Sequence, residues 1–245
     1  MKKAPRHWAL IPAAGVGRRF GAEVPKQYLD LAGRPVIDHA IGALLGHPDI
    51  AGCVVVLGSE DGWWADTSGY AGHPAVHRAP GGAERCHSVR NGLDVLARLA
   101  DDDAWVLVHD AARPCLRCAD LDTLLAALAD EPVGALLAVP IADTVKRAGA
   151  GRVDATVPRS DLWRAYTPQA FRLGLLRRAL DHAEAEALVV TDDASAVELL
   201  GLRPRLIEGH TDNIKITRPE DLPLAAFFLG QRRTAGRVQE QQTLC

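Results

Sequence analysis

The chain has 245 residues, with 28 Lys+Arg against 31 Asp+Glu for a formal net charge of −3, and 48% of it is hydrophobic. This balance offers no broad basic face for nucleic acid, and no apolar run approaches the ~20 residues of a membrane helix. Of the 28 basic residues 23 are Arg and only 5 are Lys, so Lys26, Lys146 and Lys215, the three beyond the Lys2–Lys3 pair, stand out.

In chain order, the apolar stretch from Trp8 to Ala14 is short, contains Pro12 and runs into Gly15. It reads as a first strand, Trp8–Ile11, and not as an export signal, so the expected compartment is the cytoplasm. A loop of small residues follows, Pro12-Ala-Ala-Gly15-Val-Gly17-Arg18-Arg19-Phe20-Gly21, then Pro25-Lys26-Gln27. Such a loop holds phosphates on backbone N–H groups. It lacks the G-x-x-x-x-G-K-[ST] of a Walker A loop, and Phe20 stands where the dinucleotide fingerprint needs its third Gly. Small side chains at 13, 14, 15 and 17 let a base or sugar approach the backbone. Arg19 and Lys26 would sit beside a triphosphate, while Arg18 reads as a solvated charge.

Further strands are expected at Cys53–Leu57, Trp105–His109, Ala135–Val139 and Arg205–Glu208. Helical periods lie between them: Val89, Leu93, Leu96 and Ala100; Leu124 and Leu128; Leu176, Leu180 and Ala183. Continuous Val/Leu strands alternating with helices predict an α/β fold with a parallel sheet covered on both faces. Its ligands would lie beyond the carboxyl ends of the strands. Trp105–His109 delivers Asp110-Ala-Ala-Arg113-Pro114 there. A lone carboxylate at a strand end suits Mg²⁺, which takes one or two carboxylates plus substrate phosphates. Arg113 adds an anion-binding fork, and His109 reads as a packed, hydrogen-bonded histidine.

The rhythm breaks at residues 143–161, DTVKRAGAGRVDATVPRSD, which read as a polar hairpin suited to pairing with another subunit. The expected organisation is one domain over 1–230, with a disordered Arg- and Gln-rich tail at 231–245 too short for a fused second enzyme. Cys53, Cys86, Cys115, Cys118 and Cys245 are odd in number and widely spread, so they form no disulfide framework. Cys115-Leu-Arg-Cys118 lacks the second pair of a structural zinc site.

Several motifs occur in order from about Trp8 to Leu222: PAAGVGRRFG…PKQY, GGAERCHSV, HDAARP, DTVKR, RSDLW…TPQAF, TDDAS and DNIKITRPEDL. Through them the chain resembles the 2-C-methyl-D-erythritol 4-phosphate cytidylyltransferase family. The resemblance implies a Rossmann-like nucleotidyltransferase fold, a mostly parallel doubly wound sheet with a protruding β-arm. It implies Mg²⁺-assisted transfer of CMP from CTP to methylerythritol phosphate, with release of pyrophosphate, and a homodimer interlocked through the 143–161 arm. Ala13, Ala14, Gly15, Gly82 and Ser88 would contact the cytidine, Ala111 would lie beside the ribose, and Asp110 would hold Mg²⁺. Arg19, Lys26 and Lys215 would bind the CTP phosphates and the transition state. Arg113, Thr144, Thr167 and Thr191 would face the acceptor, joined by Arg159 from the partner's arm.

The alternatives are the same transfer onto another polyol phosphate, such as ribitol 5-phosphate, or a non-catalytic nucleotide-binding regulator. The regulator would be expected to lack Lys26, Asp110 or Lys215, and all three are present. Each internal lysine falls within a motif. At 26 and 215 a compact ammonium suits crowded phosphates better than a planar fork, whereas Lys146 reads as a solvated or interface charge.

Overall fold

A computed structural model of the chain describes residues 7–15 and 24–243. In chain order the elements are β1 (His7–Pro12), a 3-10 turn at Lys26–Tyr28, β2 (Asp30–Leu31), β3 (Arg34–Pro35), α1 (Val36–Leu45) and β4 (Ile50–Leu57). There follow α2 (Trp64–Thr67), β5 (Val76–Pro80), α3 (Arg85–Leu96), β6 (Trp105–Val108), α4 (Cys118–Ala127) and β7 (Gly134–Pro140). The chain continues through β8 (Val145–Gly149), β9 (Arg152–Val157), β10 (Trp163–Arg172), α5 (Leu173–Ala185), α6 (Asp193–Glu198), β11 (Arg205–Glu208) and α7 (Asp221–Thr243).

Seven strands form the central sheet in the order β11-β7-β10-β6-β1-β4-β5. All neighbours pair in parallel except β10, which runs antiparallel to both β6 and β7. Side-chain alternation divides the core between the two faces. Ala9, Ile11, Val55, Leu107 and Leu137 turn to the face covered by α1 and α4, whose buried side chains include Ile37, Ile41, Leu44, Leu121 and Leu124. Leu10, Val54, Val56, Val106 and Val108 turn to the other face, against Val89, Leu93 and Leu96 of α3 and Leu176, Ala179 and Leu180 of α5. A smaller cluster of Leu31, Val36, Cys115, Ile216 and Ala225 seats α7 at one end. The five expected strands are present, and the helical periods fall on α3, α4 and α5, with Ala100 and Leu128 just beyond the ends of α3 and α4.

Residues 145–157 form a separate two-stranded antiparallel hairpin, β8 with β9, where Lys146 Nζ donates to Thr156 Oγ1 at 2.6 Å. Beyond the expected domain boundary, α7 runs on from Gln231 as far as Thr243. Arg, Ala, Gln and Glu are strong helix formers even without an apolar period, and Arg232 fastens the helix by donating to Asp212 Oδ2 and Cys115 O, both at 2.7 Å.

Candidate active site

The carboxyl ends of β1 and β6 open into a cleft of about 260 Å³. Its walls are Pro12–Gly15 beyond β1, Gly82–Arg85 between β5 and α3, Ser88, Asp110–Ala112 beyond β6, and Lys26, Gln27 and Lys215. The first loop is held at Ala13 on both backbone groups: its N–H donates to Val56 O at 2.8 Å, and its carbonyl accepts from Gln27 Nε2 at 3.0 Å. The opposite wall requires its glycines. A Cβ on Gly81 would fall 2.4 Å from Ala14 Cβ, and one on Gly82 would fall 2.4 Å from His87 Cβ. Ser88 Oγ accepts from Gly82 N–H at 3.0 Å and donates to Glu84 O at 3.1 Å, locking that turn onto the start of α3.

Asp110 is the electrostatic centre of the cleft. Lys215 Nζ lies 2.7 Å from its Oδ2, Arg113 Nε 3.6 Å from Oδ2, and Arg85 Nε 3.3 Å from Oδ1. Burial alone would raise its pKa, but Arg85, Lys215 and Arg113 together hold it well below the usual carboxylate range. Lys215 reaches Asp110 because its loop is stitched to the loop after β6: Ile216 N–H donates to Ala112 O at 2.8 Å. Lys26 Nζ donates to Ile216 O at 2.9 Å, which brings both lysines to one side of the cleft.

Behind Asp110 lies a buried, hydrogen-bonded polar layer. His109 Nε2 lies 3.0 Å from Arg113 O, and a carbonyl only accepts, so Nε2 carries the proton and Nδ1 accepts the Thr167 hydroxyl at 2.9 Å. Thr167 Oγ1 in turn accepts Asp110 N–H at 3.1 Å. Burial pushes the His109 pKa down to about 4, so the ring is neutral with both nitrogens engaged. Arg113 Nη1 donates to Asn213 O at 2.7 Å, and its guanidinium lies 4.6 Å from the centre of the Tyr166 ring.

A second layer joins the cleft to α6. Asp192 and Ser195 form a reciprocal capping box, each side chain accepting from the other's backbone N–H at 2.9 and 3.1 Å. Gln169 of β10 grips the same turn: its Oε1 accepts Ala194 N–H and its Nε2 donates to Asp192 Oδ2, both at 2.8 Å.

The structure thus brings together Ala13, Ala14, Gly15, Lys26, Gly82, Ser88, Asp110, Ala111 and Lys215 as walls of one cleft. Arg113 and Thr167 are buried directly behind Asp110. Thr191 is exposed at the α6 turn, where its N–H donates to Ser195 Oγ at 3.0 Å. Thr144 and Arg159 are exposed at the base of the hairpin, where Arg159 donates to Ala142 O. Arg19 lies outside the described residues. Sequence reasoning singled out neither Arg85 nor Gln169; the GGAER and TPQAF motifs contain them, but the contacts that define them are distant in sequence.

Among the described residues there is no cluster of three or more His, Cys, Asp or Glu side chains that could hold a metal ion. Asp110 nevertheless fits a Mg²⁺ site of the kind completed by substrate: one ionised carboxylate at the cleft wall, with phosphates and water supplying the remaining oxygens. No helix among the described residues is long and apolar enough to cross a membrane.

The family described as 2-C-methyl-D-erythritol 4-phosphate cytidylyltransferase matches residues 8–231. A Pseudomonas putida protein of that name is 58% identical over 220 residues, 89% of this chain and 93% of its own length. One from Dechloromonas aromatica is 55% identical over 232 residues, 94% of this chain and 100% of its own. Among solved structures, a 4-diphosphocytidyl-2C-methyl-D-erythritol synthase superposes with a TM-score of 0.81 at 41% identity, covering 93% of this chain and 100% of that one. The Francisella tularensis 2-C-methyl-D-erythritol 4-phosphate cytidylyltransferase gives 0.80 at 34%, covering 91% and 99%. The shared architecture is the Rossmann-like nucleotidyltransferase fold.

Proposed function

The chain belongs to the 2-C-methyl-D-erythritol 4-phosphate cytidylyltransferase family, and from that premise we propose how its cleft carries out the reaction. The enzyme transfers a cytidylyl group from CTP to 2-C-methyl-D-erythritol 4-phosphate. The observation that carries the mechanism is the convergence of Lys26, Lys215 and Asp110 on one cleft walled by Ala13–Gly15 and Gly82.

The cytidine lies between the Ala13–Gly15 and Gly82–Ser88 walls, where Ala14 and Gly82 leave room for a pyrimidine ring, and Ala111 lies beside the ribose. An oxygen of the acceptor phosphate attacks the α-phosphorus in line; the new P–O bond forms as the bond to pyrophosphate breaks. That oxygen is already ionised at neutral pH, so no general base is required. The neutral His109, with both nitrogens engaged, fits a mechanism without one. Lys26 and Lys215, with Arg19, stabilise charge on the α-phosphate and on the departing pyrophosphate. Asp110 would hold a divalent cation, whose Lewis-acid charge would neutralise the triphosphate when bound. Arg113, Thr144, Thr167 and Thr191 face the acceptor, joined by the partner subunit's Arg159.

The arm supports a homodimer on its own physical grounds. β8 and β9 are exposed along nearly their whole length, including Val153 at 63%, and a lone two-stranded hairpin is marginal in water. Pairing with a second copy would give it a packing partner. Cytoplasm remains the proposed compartment.

The test is pyrophosphate release with CTP and Mg²⁺ against a panel of polyol phosphates. Release with methylerythritol phosphate, abolished by EDTA and restored by Mg²⁺, is expected. Release with ribitol 5-phosphate alone would overturn the acceptor, and turnover undiminished by EDTA would overturn the cation.

A further inference from the structure

Arg85 takes no part in the reaction as derived above, yet its guanidinium spans two carboxylates from distant parts of the chain. Nε lies 3.3 Å from Asp110 Oδ1, while Nη1 and Nη2 lie 3.1 and 2.8 Å from the two oxygens of Asp193. Asp193 opens α6, and its side chain is 1% exposed. A carboxylate so deprived of water requires a charged partner. A planar guanidinium serves two carboxylates at a fixed mutual angle, which an ammonium on a flexible stem does not.

The far end of this bridge is stiff. Thr191 N–H donates to Ser195 Oγ, Ser195 and Asp192 cap each other, and Gln169 ties the same turn to β10. The near end is Asp110, whose other oxygen meets Lys215. Polar contacts on either side of the short backbone link between Asp192 and Asp193 therefore lead from Thr191 to the cleft wall opposite the Ala13–Gly15 loop, and Arg85 joins Asp193 to Asp110.

We propose that Arg85 is a positioning residue that sets Asp110 and the α6 turn bearing Thr191 as one unit, keeping the acceptor in line with the nucleotide. The inference rests on the placement of CTP and acceptor proposed above. In-line transfer tolerates little error between attacking oxygen and phosphorus, and displacements of about 1 Å cost on the order of 10²-fold in rate. A bridge that fixes the two half-sites relative to each other therefore bears directly on turnover. A purely structural ion pair would anchor α6 with the same atoms, and the two roles differ in how they affect the two substrates.

The test uses the full chain carrying Asp193→Asn or Arg85→Lys. Thermal melting and calorimetric CTP binding without acceptor accompany steady-state kinetics in both substrates. Asp193→Asn keeps a neutral partner for the guanidinium and leaves the Asp110 end intact. It is expected to raise KM for the acceptor about tenfold, while KM and Kd for CTP stay within about twofold. Arg85→Lys loses the fork at both ends and is expected to lower kcat about tenfold or more as well. Wild-type kinetics in both variants would overturn the proposal. So would losses that follow melting temperature and fall equally on the two substrates. Wild type is assayed first: if it turns over only with another polyol phosphate, the acceptor assignment fails, and the same KM split is then read on that substrate.

Discussion

Lys215 Nζ sits 2.7 Å from Asp110 Oδ2, joining the loop beyond β6 to the loop beyond β11 across the mouth of the cleft. The pair keeps a carboxylate ionised and an ammonium directed inward at the place where a triphosphate would bring its charge. Both are poised before substrate arrives, which is how electrostatic catalysis avoids reorganisation during the reaction.

Replacing either lysine should therefore act on turnover. Lys215→Ala and Lys26→Ala should each lower kcat by about 10²–10³-fold, the scale of losing one preorganised contact to a developing charge. Lys26→Arg should also be harmful although charge is kept. Lys26 Nζ already donates to Ile216 O at 2.9 Å within the cleft wall, and a broad fork cannot take that place without displacing the loop. Pre-steady-state pyrophosphate release on folded variants checks each; wild-type kcat in either alanine variant would remove that lysine from the mechanism.

Asp110→Asn should destabilise the protein at neutral pH by about 3 kcal/mol, because it strands cations that were paired with a buried charge. The sign with pH is defined. Burial would raise the carboxyl, but Arg85, Lys215 and Arg113 outweigh it and depress its pKa below the ordinary value of 3.8. Its stabilisation is therefore complete above about pH 4 and is lost as pH falls further. The gap in melting temperature between wild type and Asp110→Asn should accordingly shrink below that pH. A gap unchanged down to the acid limit of folding would contradict the pairing.

His109 gives a signature in a different window. Burial lowers its pKa from 6.5 to about 4, so the folded protein keeps the ring neutral where the unfolded chain would protonate it. Its contribution is present above 6.5, is lost between 6.5 and about 4, and is flat below. Histidine-selective NMR should show this imidazole neutral at pH 5.5 with the proton on Nε2 (about 1.5 pH units above its midpoint). An ordinary midpoint near 6.5 in the folded state would refute the buried layer behind Asp110.

Gly82→Ala should weaken CTP binding about tenfold or more and lower the melting temperature by a few degrees, since small-to-large changes in packed sites cost about 1–3 kcal/mol. The added Cβ would lie 2.4 Å from His87 Cβ and 3.1 Å from Ser88 N, forcing the turn away from Ser88 Oγ. Calorimetry with CTP reads the loss; unaltered affinity would place the base elsewhere.

Much of this was legible because hydrophobicity is written locally. Trp105–Val108 is a continuous apolar run buried on both faces, and the residues that follow it had to emerge at a strand end. Two strands of the central sheet were not visible. β5, Val-His-Arg-Ala-Pro, is an edge strand with an exposed Arg78 and lacks the apolar run of a central strand. β10 contains Pro168 and the buried Gln169, whose amide serves the α6 turn, so it reads as polar although it pairs on both sides. Arg85 escaped notice for a related reason: its partners lie 25 and 108 residues away, and no local pattern records a contact of that range.

The antiparallel β10 also bears on how the protein is made. During synthesis β6 emerges well before β10, and until residue 163 follows, its hydrogen-bonding edge opposite β1 has no strand to pair with. Lys215 arrives later still, and its seat depends on Ile216 packing beside Ala225 of the final helix. A ribosome stalled midway thus releases a sheet with an open flank and no assembled cleft, a product suited to chaperones and proteases rather than one that turns over CTP.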